Sequence, residues 1–447
     1  QYSKYAKSSS DWLISIYGLN LYRKRYLGRY KNILKLVETS WNWSSNEINI
    51  YQSEELYKII KHCRNKIPYY QKLFADYGFH ENDFTSINDI SKLPIATKKI
   101  ILENQSKIQL PNANPYFIQK TSGSTGTPLS LWVDEFTYKL AMALLVSHEK
   151  RSGIEFGERR ATFAGRMIKR FEDNTPPFSR FNFAENQKIY SSYHLSSTTF
   201  KFYCEDLESF RPVEIIGYPS AICDLASFYK KEKIKPGFKL KAIITNSETL
   251  HEWQRDIIES VFNSPVYDYY GTAEYIIFAS QNKKGFYDLN PVIGLTEIND
   301  KTDQGESWPI ITTTLTNYTM PLLRYEIGDN ATAVSRNGSQ SSLASLKSID
   351  GRKDDYIVSV DGRKIGRIDH IFKGIKGVKE AQVIQDHKKQ CTIQVVLSNG
   401  DLFNEKKLTE NFKSRVGNSM NLGIKYVTHI PRGANGKFKS VIRKKEL

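Results

Sequence analysis

The chain has 447 residues, of which 40% are hydrophobic, 13% aromatic and 25% charged. This composition is typical of a globular protein with two or three domains, and it excludes intrinsic disorder, collagen-like repeats and a disulfide scaffold. The 64 Lys and Arg residues outnumber the 48 Asp and Glu residues, so the formal net charge is +16. Such a charge favours a polyanionic partner, which includes nucleic acid, anionic lipid, an acidic sugar and a nucleotide.

The excess positive charge lies at the two ends of the chain. Residues 1–36 carry eight basic side chains and one acidic side chain, and residues 401–447 carry eleven basic and four acidic side chains. The residues between these segments are therefore close to neutral. A polyanion attracted by charge alone would meet the two ends rather than the body.

The cysteines show no spacing typical of a zinc site. They lie far apart in the sequence, at Cys63, Cys204, Cys223 and Cys391, which predicts reduced thiols in a cytoplasmic protein. No apolar run reaches the roughly 18 residues that a spanning helix requires. The predicted location is the cytoplasm, with membrane association through the basic N-terminal segment as a further hypothesis.

Residues 11–35 are predicted to form one amphipathic helix within a basic extension, residues 1–40. Apolar side chains from Trp12 to Leu21 recur at near-helical spacing ahead of the basic cluster Arg23–Arg25. A helix with aromatic and basic side chains can lie on an anionic membrane surface as a peripheral contact. The alternative is a terminal helix that packs on its own domain and exposes its basic residues to solvent.

The middle of the chain alternates between strand and helix patterns. Strands are predicted at 212–218, 240–246 and 265–270, and helices between them at 219–233 and 249–262. Thr249 and Glu252 are interpreted as a capping box that opens the second helix. This order predicts an α/β fold with a parallel sheet and helices on its faces. Ligands bind such sheets beyond the carboxyl ends of the strands, where the segment Tyr270–Glu274 falls.

The pattern changes near residue 350, which predicts a second domain. The expected division is a large N-terminal domain, residues 1–353, and a small mobile α+β domain, residues 354–447. In the small domain, strands are predicted at 356–360, 380–385, 392–397 and 425–430, with a helix at 408–420. A Ser-rich stretch at 338–348 is interpreted as a linker.

Residues 121–128 form a hydroxyl-rich loop that is the sharpest motif in the sequence. It places five hydroxyl side chains and two glycines within eight residues. Glycines let backbone N–H groups approach an anion and hydroxyls add donors, so the loop is suited to phosphate. No Gly-Lys-Ser/Thr follows, as in a Walker A motif, and the Gly-x-Ser-x-Gly spacing of a nucleophile elbow is lacking. By itself, the loop is also compatible with a flexible polar turn.

Three further segments add groups that bind nucleotides. Tyr270–Glu274 places a carboxylate just beyond a strand, where it is suited to hold Mg²⁺ on phosphates. Residues 323–329 place Asp329 after a Gly turn, and its two oxygens are suited to ribose hydroxyls. Gly351–Asp355 lies at the boundary where the composition changes. A single turn Asp is usually a solvated cap, but the order and spacing of these segments together indicate a nucleotide site.

These motifs resemble the adenylate-forming superfamily of acyl- and aryl-CoA ligases, luciferases and peptide-synthetase adenylation domains. The phosphate loop, Tyr270–Glu274, Arg324–Asp329, Gly351–Asp355 and Asn435–Lys437 occur in that family's order. Further segments are similar to the phenylacetate–CoA ligase-like branch, especially its capsular-polysaccharide-biosynthesis type: Pro68–Tyr70, Leu93–Lys98, Gly217–Ser220 and Ala381–Gln385. The resemblance covers nearly the whole chain. It implies a ligase with a large adenylation domain and a mobile C-terminal lid.

The resemblance also implies the residues that bind ATP or AMP. These are Thr121, Ser122, Gly123, Ser124, Thr125, Gly126, Thr127, Tyr270, Gly271, Thr272, Asp329 and Arg352. The loop would hold the β- and γ-phosphates, Thr272 would contact the α-phosphate, and Tyr270 would lie against the adenine. Asp329 would hold the ribose, and Arg352 would reach the ribose or a phosphate.

Four residues receive catalytic or hinge roles from the resemblance. Lys437 would bridge the carboxylate and the α-phosphate during adenylation, and Glu274 would bind Mg²⁺. With Thr272, these residues form the predicted catalytic set. Asp354 matches the hinge about which the lid pivots between two half-reactions. A solvated charge in a basic tail is the alternative for Lys437.

The substrate pocket is less clearly defined by the sequence. Family geometry implies a wall from His194, Tyr218, Ser247, Glu248 and Tyr269. Its polar members favour a small hydrophilic carboxylic acid over a long fatty acid. Ordinary core packing is the alternative for the aromatic members, and His194 is also considered as a general base.

The sequence departs from the phenylacetate–CoA ligases in a segment that bears on the identity of the acceptor. Those enzymes have a Gly-x-Asn turn that lines the pantetheine tunnel, whereas residues 358–364 read VSVDGRK here. The departure favours an amine or hydroxyl acceptor, such as a saccharide, over CoA. An acyl-CoA ligase remains the alternative function. A nucleic-acid-binding protein is disfavoured because no recognition motif accompanies the charge, and the intact motif residues argue against an inactive adenylate-binding module.

Overall fold

A computed structural model describes most of the chain. The described residues are 9–120, 129–164, 168–169, 173–192, 194–298, 307–334, 344–352, 357–358, 360, 364–365, 368–372, 375–387, 389–397, 403–431 and 438–444. The α-helices are α1 (Ser9–Tyr26), α2 (Tyr30–Ser40), α3 (Ser45–Lys66), α4 (Pro68–Tyr77), α5 (Lys98–Glu103), α6 (Gln105–Ile108), α7 (Glu135–Arg151), α8 (Phe200–Phe210), α9 (Pro219–Lys231), α10 (Glu252–Phe262) and α11 (Glu405–Val416).

The strands of the N-terminal region are β1 (Phe117–Lys120), β2 (Ser130–Val133), β3 (Arg160–Phe163), β4 (Ser179–Asn182), β5 (Gln187–Tyr190), β6 (Glu214–Gly217), β7 (Ala242–Asn246), β8 (Val266–Gly271), β9 (Phe278–Gln281), β10 (Tyr287–Leu289), β11 (Gly294–Ile298), β12 (Trp308–Thr314), β13 (Tyr325–Ala333) and β14 (Ser345–Arg352). Those that follow are β15 (Ile357–Val358), β16 (Lys364–Ile365), β17 (Val378–His387), β18 (Gln390–Leu397), β19 (Asn421–Tyr426) and β20 (Val441–Arg443).

One mixed sheet organises the large N-terminal region. Among the described strands, twelve join it in the order β11-β12-β13-β14-β10-β9-β8-β7-β6-β3-β5-β4. The run β5-β3-β6-β7-β8 is parallel, and α9 and α10 are the crossovers between its last three strands. The predicted strand–helix alternation and the mixed α/β class are therefore confirmed.

The parallel strands are buried because helices cover them. All four residues of β6 and all five of β7 are buried, as expected for parallel strands beneath crossover helices. The apolar side chains of α8, α9 and α10 pack against them in one core cluster. Gly217, the last residue of β6, allows a close approach, since a Cβ there would lie 2.1 Å from the Phe163 carbonyl oxygen.

The second crossover helix has a different cap from the predicted one. The helix α10 begins at Glu252, and the cap pairs His251 with Gln254, whose side-chain oxygen accepts the His251 N–H at 3.1 Å. The predicted Thr249–Glu252 capping box is therefore wrong. A histidine is an uncommon cap, so the Thr-x-x-Glu pattern gave the more familiar but incorrect start.

The N-terminal segment forms two helices instead of one. Gly28, with a φ of +67°, separates α1 from α2, because a left-handed residue ends an α-helix. The helix α1 packs against the region around β4. Its approach is so close that a Cβ at Gly18 would lie 2.2 Å from the Asn182 side chain, and Arg25 pairs with Glu185 at 2.8 Å. Packing of this segment on its own domain is thus observed.

A buried ionic cluster joins α7, β3 and β6. The Arg160 guanidinium lies 2.6 Å from a Glu149 carboxylate oxygen and 2.9 Å from a Glu214 carboxylate oxygen, and both Glu side chains are only 1% exposed. Burial raises the pKa of Glu149 above its usual range, while the Arg160 charge opposes that rise. The Arg160 guanidinium therefore pairs with two carboxylates that are buried away from water.

The C-terminal region is a small α+β unit with its own core. Strands β19-β18-β17-β20 form a four-stranded sheet, and the inner pair β17-β18 is antiparallel. Leu408, Phe412 and Val416 on α11 pack against this sheet. The predicted strands and helix appear here with shifted ends, and part of the predicted Ser-rich linker instead forms β14. Within the described ranges, no helix has the length and apolarity needed to cross a membrane.

Candidate active site

The predicted nucleotide segment begins at the carboxyl end of β8. Tyr270 and Gly271 are the last residues of the strand, and a turn follows in which the Tyr275 N–H donates to the Thr272 carbonyl at 3.1 Å. Because β6, β7 and β8 are parallel, their carboxyl ends meet at one edge of the sheet. The segment therefore lies at the edge where α/β proteins bind ligands.

Tyr270 and Asp329 meet although their strands are not neighbours. The Tyr270 hydroxyl donates to an Asp329 carboxylate oxygen at 2.5 Å, but β8 and β13 are four strand positions apart. In a flat sheet this separation would be roughly 19 Å, too far for a tyrosine side chain. The sheet must therefore curl, and the curl brings the predicted adenine-binding and ribose-binding residues together.

Asp329 also has Arg352 as its neighbour in the sheet. The antiparallel pairing of β13 with β14 sets these residues opposite each other. Gly328, with a φ of +94°, precedes Asp329 in the strand, a conformation that favours glycine. The backbone thus collects the predicted ribose contacts at one place.

Thr272 presents a polar atom that the surrounding residues leave unsatisfied. Its hydroxyl oxygen is buried and has no hydrogen-bond partner among the described residues. A buried hydroxyl without a partner is costly, so a ligand that accepts its proton would restore the lost bond. A phosphate oxygen is such an acceptor, which fits the predicted contact with the α-phosphate.

Glu274 lies two residues further along the chain and is buried. Among the described residues, no three His, Cys, Asp or Glu side chains cluster as in an all-protein metal site. Mg²⁺ on a nucleotide is usually held by one or two carboxylates together with substrate phosphates. A buried carboxylate two residues from the hydroxyl predicted to bind phosphate therefore fits this mode of binding.

A second carboxyl supports the strand that carries Tyr270. Burial raises the pKa of Asp268 to about 7. Its oxygens accept hydrogen bonds from the Thr245 hydroxyl at 2.6 Å and from the Tyr287 hydroxyl at 2.7 Å. These bonds tie β8 to β7 and β10 two residues before Tyr270. They position the strand, and Asp268 itself is too enclosed to act as a general acid toward a substrate.

Glu248 and Ser247 follow β7 at the same edge of the sheet. Ser247 is exposed and has a φ of +67°. Glu248 accepts the Ser220 N–H at 3.1 Å, at the start of α9, and also the Phe438 N–H at 2.7 Å. Tyr218 is buried directly before α9. Three predicted pocket residues are thus brought together.

His194 and Tyr269 each stack on a phenylalanine ring. The His194 ring is buried, stacks on Phe178 and lies 2.7 Å from the Ser191 hydroxyl. Tyr269 stacks on Phe278 at a centroid distance of 5.3 Å. Since side chains alternate along a strand, Tyr269 lies on the opposite face of β8 from Tyr270. The pocket roles of these two residues stay predictions.

Several predicted site residues lie outside the described residues. They are the loop residues Thr121, Ser122, Gly123, Ser124, Thr125, Gly126 and Thr127, the hinge residue Asp354 and the lysine Lys437. The flanking strands β1 and β2 pair in antiparallel fashion. The contact between Glu248 and Phe438 was missed at the sequence level, because 190 residues separate the two partners.

Sequence comparison finds similarity to CapK and to phenylacetate-coenzyme A ligases. A model of the CapK C-terminal domain matches residues 357–444. The chain is 27% identical over 434 residues to protein CapK of Staphylococcus aureus, which covers 95% of this chain and 94% of that protein. The chain is thus similar to CapK over almost its whole length. It is also 21% identical over 357 residues to phenylacetate-coenzyme A ligase of Pseudomonas putida, with 73% and 74% coverage.

Solved structures of a CoA ligase share the fold. The chain matches 2-hydroxyisobutyryl-CoA ligase in its postadenylation state, in complex with 2-HIB-AMP, with a TM-score of 0.66, 17% identity and coverage of 88% and 89%. The match to the same ligase in its thioesterification state has a TM-score of 0.53, 17% identity and coverage of 90% and 91%. The predicted fold class is confirmed by this similarity.

Proposed function

We propose that the protein activates a small carboxylic acid as an acyl-adenylate and transfers the acyl group to an amine or hydroxyl acceptor. This proposal makes the protein an adenylate-forming ligase, an enzyme with an acyl-AMP intermediate, and the 2-HIB-AMP complex of the similar 2-hydroxyisobutyryl-CoA ligase supports it. The observation that carries this assignment within the chain is the pairing of Tyr270 with Asp329 beside the unsatisfied Thr272 hydroxyl. The purine, the ribose and the α-phosphate are consecutive parts of a nucleotide. One bound nucleotide can therefore contact Tyr270, Asp329 and Thr272 with these three parts.

The first half-reaction makes a reactive acid derivative. A carboxylate oxygen of the substrate attacks the α-phosphorus of ATP, the bond from this phosphorus to the bridging oxygen breaks, and pyrophosphate leaves. Thr272 donates its hydroxyl proton to an α-phosphate oxygen, and Asp329 accepts from the ribose hydroxyls. Glu274 would hold a Mg²⁺ ion, which would neutralise phosphate charge. Donors aimed at the developing charge stabilise the transition state.

The second half-reaction uses the better leaving group. The acceptor nitrogen or oxygen bonds to the acyl carbon, the bond from that carbon to the AMP oxygen breaks, and the acceptor loses a proton. Within the pocket, the polar residues near Glu248 suit a hydrophilic acid. A saccharide that carries an amine or hydroxyl is the proposed acceptor class, in the synthesis of a polysaccharide.

Exchange of labelled pyrophosphate into ATP tests the first half-reaction. A panel of carboxylic acids, amino acids and uronic acids is offered to the full chain with ATP and Mg²⁺. We expect exchange that depends on one class of acid. Exchange that is independent of every acid, or no exchange with any of them, would contradict the proposal.

The CoA alternative has a specific observation in its favour, since phenylacetate-coenzyme A ligases are among the relatives. The two ends of the segment that departs from them are paired, since Val358 on β15 lies opposite Lys364 on β16. The experiment measures AMP release from the enzyme loaded with its acid and ATP. Release that requires CoA favours the alternative, and release with amines or saccharides alone favours the proposal.

Asp329→Ala is expected to raise the KM for ATP about 10–100-fold, because hydrogen bonds to a charged group contribute about 1.5–3 kcal/mol. Tyr270→Phe removes only the hydroxyl that orients Asp329 and should raise the KM less than about fivefold. The comparison of ATP with 3′-deoxy-ATP in pyrophosphate exchange isolates the ribose contact. If Asp329→Ala still discriminates between these two nucleotides as the wild type does, Asp329 does not bind the ribose.

The exposed part of α1 supports a membrane contact as a second proposal. Ile16 and Tyr17 are each 62% exposed, and Arg23 and Lys31 nearby are exposed as well. Apolar and basic side chains together suit an anionic bilayer surface.

We expect the full chain to cosediment with vesicles that contain phosphatidylglycerol and not with pure phosphatidylcholine vesicles. The double variant Ile16→Ser, Tyr17→Ser should weaken this binding. Equal binding to both vesicle types would refute the contact.

A further inference from the structure

Glu248 connects the large domain to the C-terminal domain through the two oxygens of one carboxylate. One oxygen accepts the Ser220 N–H at 3.1 Å, and the other accepts the Phe438 N–H at 2.7 Å. Resting on the proposed function, we propose that Glu248 is a latch: a positioning residue that holds the C-terminal domain in the arrangement for adenylation.

The large domain fixes one side of this latch. The helix α9 begins with Pro219, and its N-cap Tyr218 supplies no side-chain hydrogen bond. The N–H of Ser220 is therefore one of the first-turn donors that need an external partner, and the positive end of the helix favours a carboxylate. Ser247, in a left-handed conformation, turns the chain so that Glu248 reaches this helix end.

The C-terminal domain is held at a point that moves with its sheet. Phe438 is followed by Lys439, whose carbonyl accepts the Gln382 side-chain N–H at 2.8 Å. The next carbonyl, of Ser440, accepts the Val383 N–H at 2.9 Å. Both donors are on β17, so a restraint on Phe438 restrains the four-stranded sheet as a whole.

The position of the latch in the chain gives it a catalytic consequence. Phe438 directly follows Lys437, the residue proposed to act on the α-phosphate. A pivot of the C-terminal domain has to break the hydrogen bond from the Phe438 N–H to Glu248. A charge-assisted hydrogen bond shifts such an equilibrium by roughly 10–100-fold, which is strong enough to favour one arrangement and weak enough to be released after adenylation.

Hydrogen exchange measures the latch without any substrate. The full chain is compared with Glu248→Ala and Glu248→Gln, and Glu252→Gln serves as a matched control because Glu252 is exposed on the neighbouring helix. We expect the Phe438 amide to exchange about tenfold faster in Glu248→Ala, with a smaller change in Glu248→Gln, which keeps one oxygen. Unchanged exchange at Phe438 in Glu248→Ala would overturn the latch.

The two half-reactions separate a latch from a residue of the substrate pocket. With an acid that the wild type activates, Glu248→Ala should slow pyrophosphate exchange about tenfold. Transfer from supplied acyl-adenylate to the acceptor should be slowed by a clearly smaller factor, because that half-reaction does not need the arrangement that the latch holds. Equal losses in both half-reactions would contradict the latch and favour a pocket role. A wild type that activates no acid would refute the proposed function, while the exchange of the Phe438 amide would still decide the latch.

Discussion

Lys437→Ala is expected to lower the rate of pyrophosphate exchange about 10²–10³-fold, with little change in the KM for ATP. The lysine is proposed to bridge the attacking carboxylate and the α-phosphate, where negative charge accumulates only as the new bond forms. A preorganised cation at such a point contributes about 3–4 kcal/mol to transition-state stabilisation. The loss should therefore appear in kcat, because the ground-state complex lacks that charge.

Lys439→Ala is the matched control for this experiment. Lys439 is exposed and lies two residues away in the same basic segment, so its loss changes the net charge equally without removing the proposed contact. We expect exchange by Lys439→Ala to stay close to the wild-type rate. If both variants lose activity to the same extent, the effect comes from the charge of the segment and Lys437 has no special role. Transfer from supplied acyl-adenylate should survive in Lys437→Ala.

The parallel centre of the sheet could be predicted because its sequence is compatible with few other local structures. The runs that become β6 and β7 are short and apolar, with β-branched residues that a helix disfavours, and turn residues bound them. The intervening segments have helical periodicity, so a crossover between parallel strands was the consistent interpretation. Local patterns therefore predicted the edge of the sheet at which Tyr270 lies.

The contacts that complete the site could not be predicted in this way. Tyr270 meets Asp329 only because the sheet curls, and curl depends on the twist and pairing of many strands. Glu248 meets Phe438 only because two domains adopt one relative arrangement. The break between α1 and α2 at Gly28 had a local signal, since glycine commonly ends helices, but the apolar periodicity that continues beyond it concealed the end.

The buried cluster of Arg160 with Glu149 and Glu214 also had no local signal. Its members lie 11 and 54 residues apart in the sequence, on α7, β3 and β6. Bringing three charged groups out of water is costly, and the attraction between them recovers that cost only while all three are present. Since β6 leads directly into Tyr218 and α9, the cluster supports the elements that carry this predicted pocket residue and the helix end that Glu248 contacts.

Arg160→Met is therefore expected to destabilise the large domain by about 3–5 kcal/mol, because it leaves two buried carboxylates without a counter-charge. The midpoint of urea unfolding, followed by tryptophan fluorescence, measures this loss. Lys72→Met breaks the exposed pair of Lys72 with Asp76 and should leave the midpoint nearly unchanged. The triple variant Arg160→Met, Glu149→Gln, Glu214→Gln should recover at least half of the loss, since no charge stays buried. A triple variant as unstable as Arg160→Met would show that packing of the arginine side chain, and not the stranded charges, determines the stability.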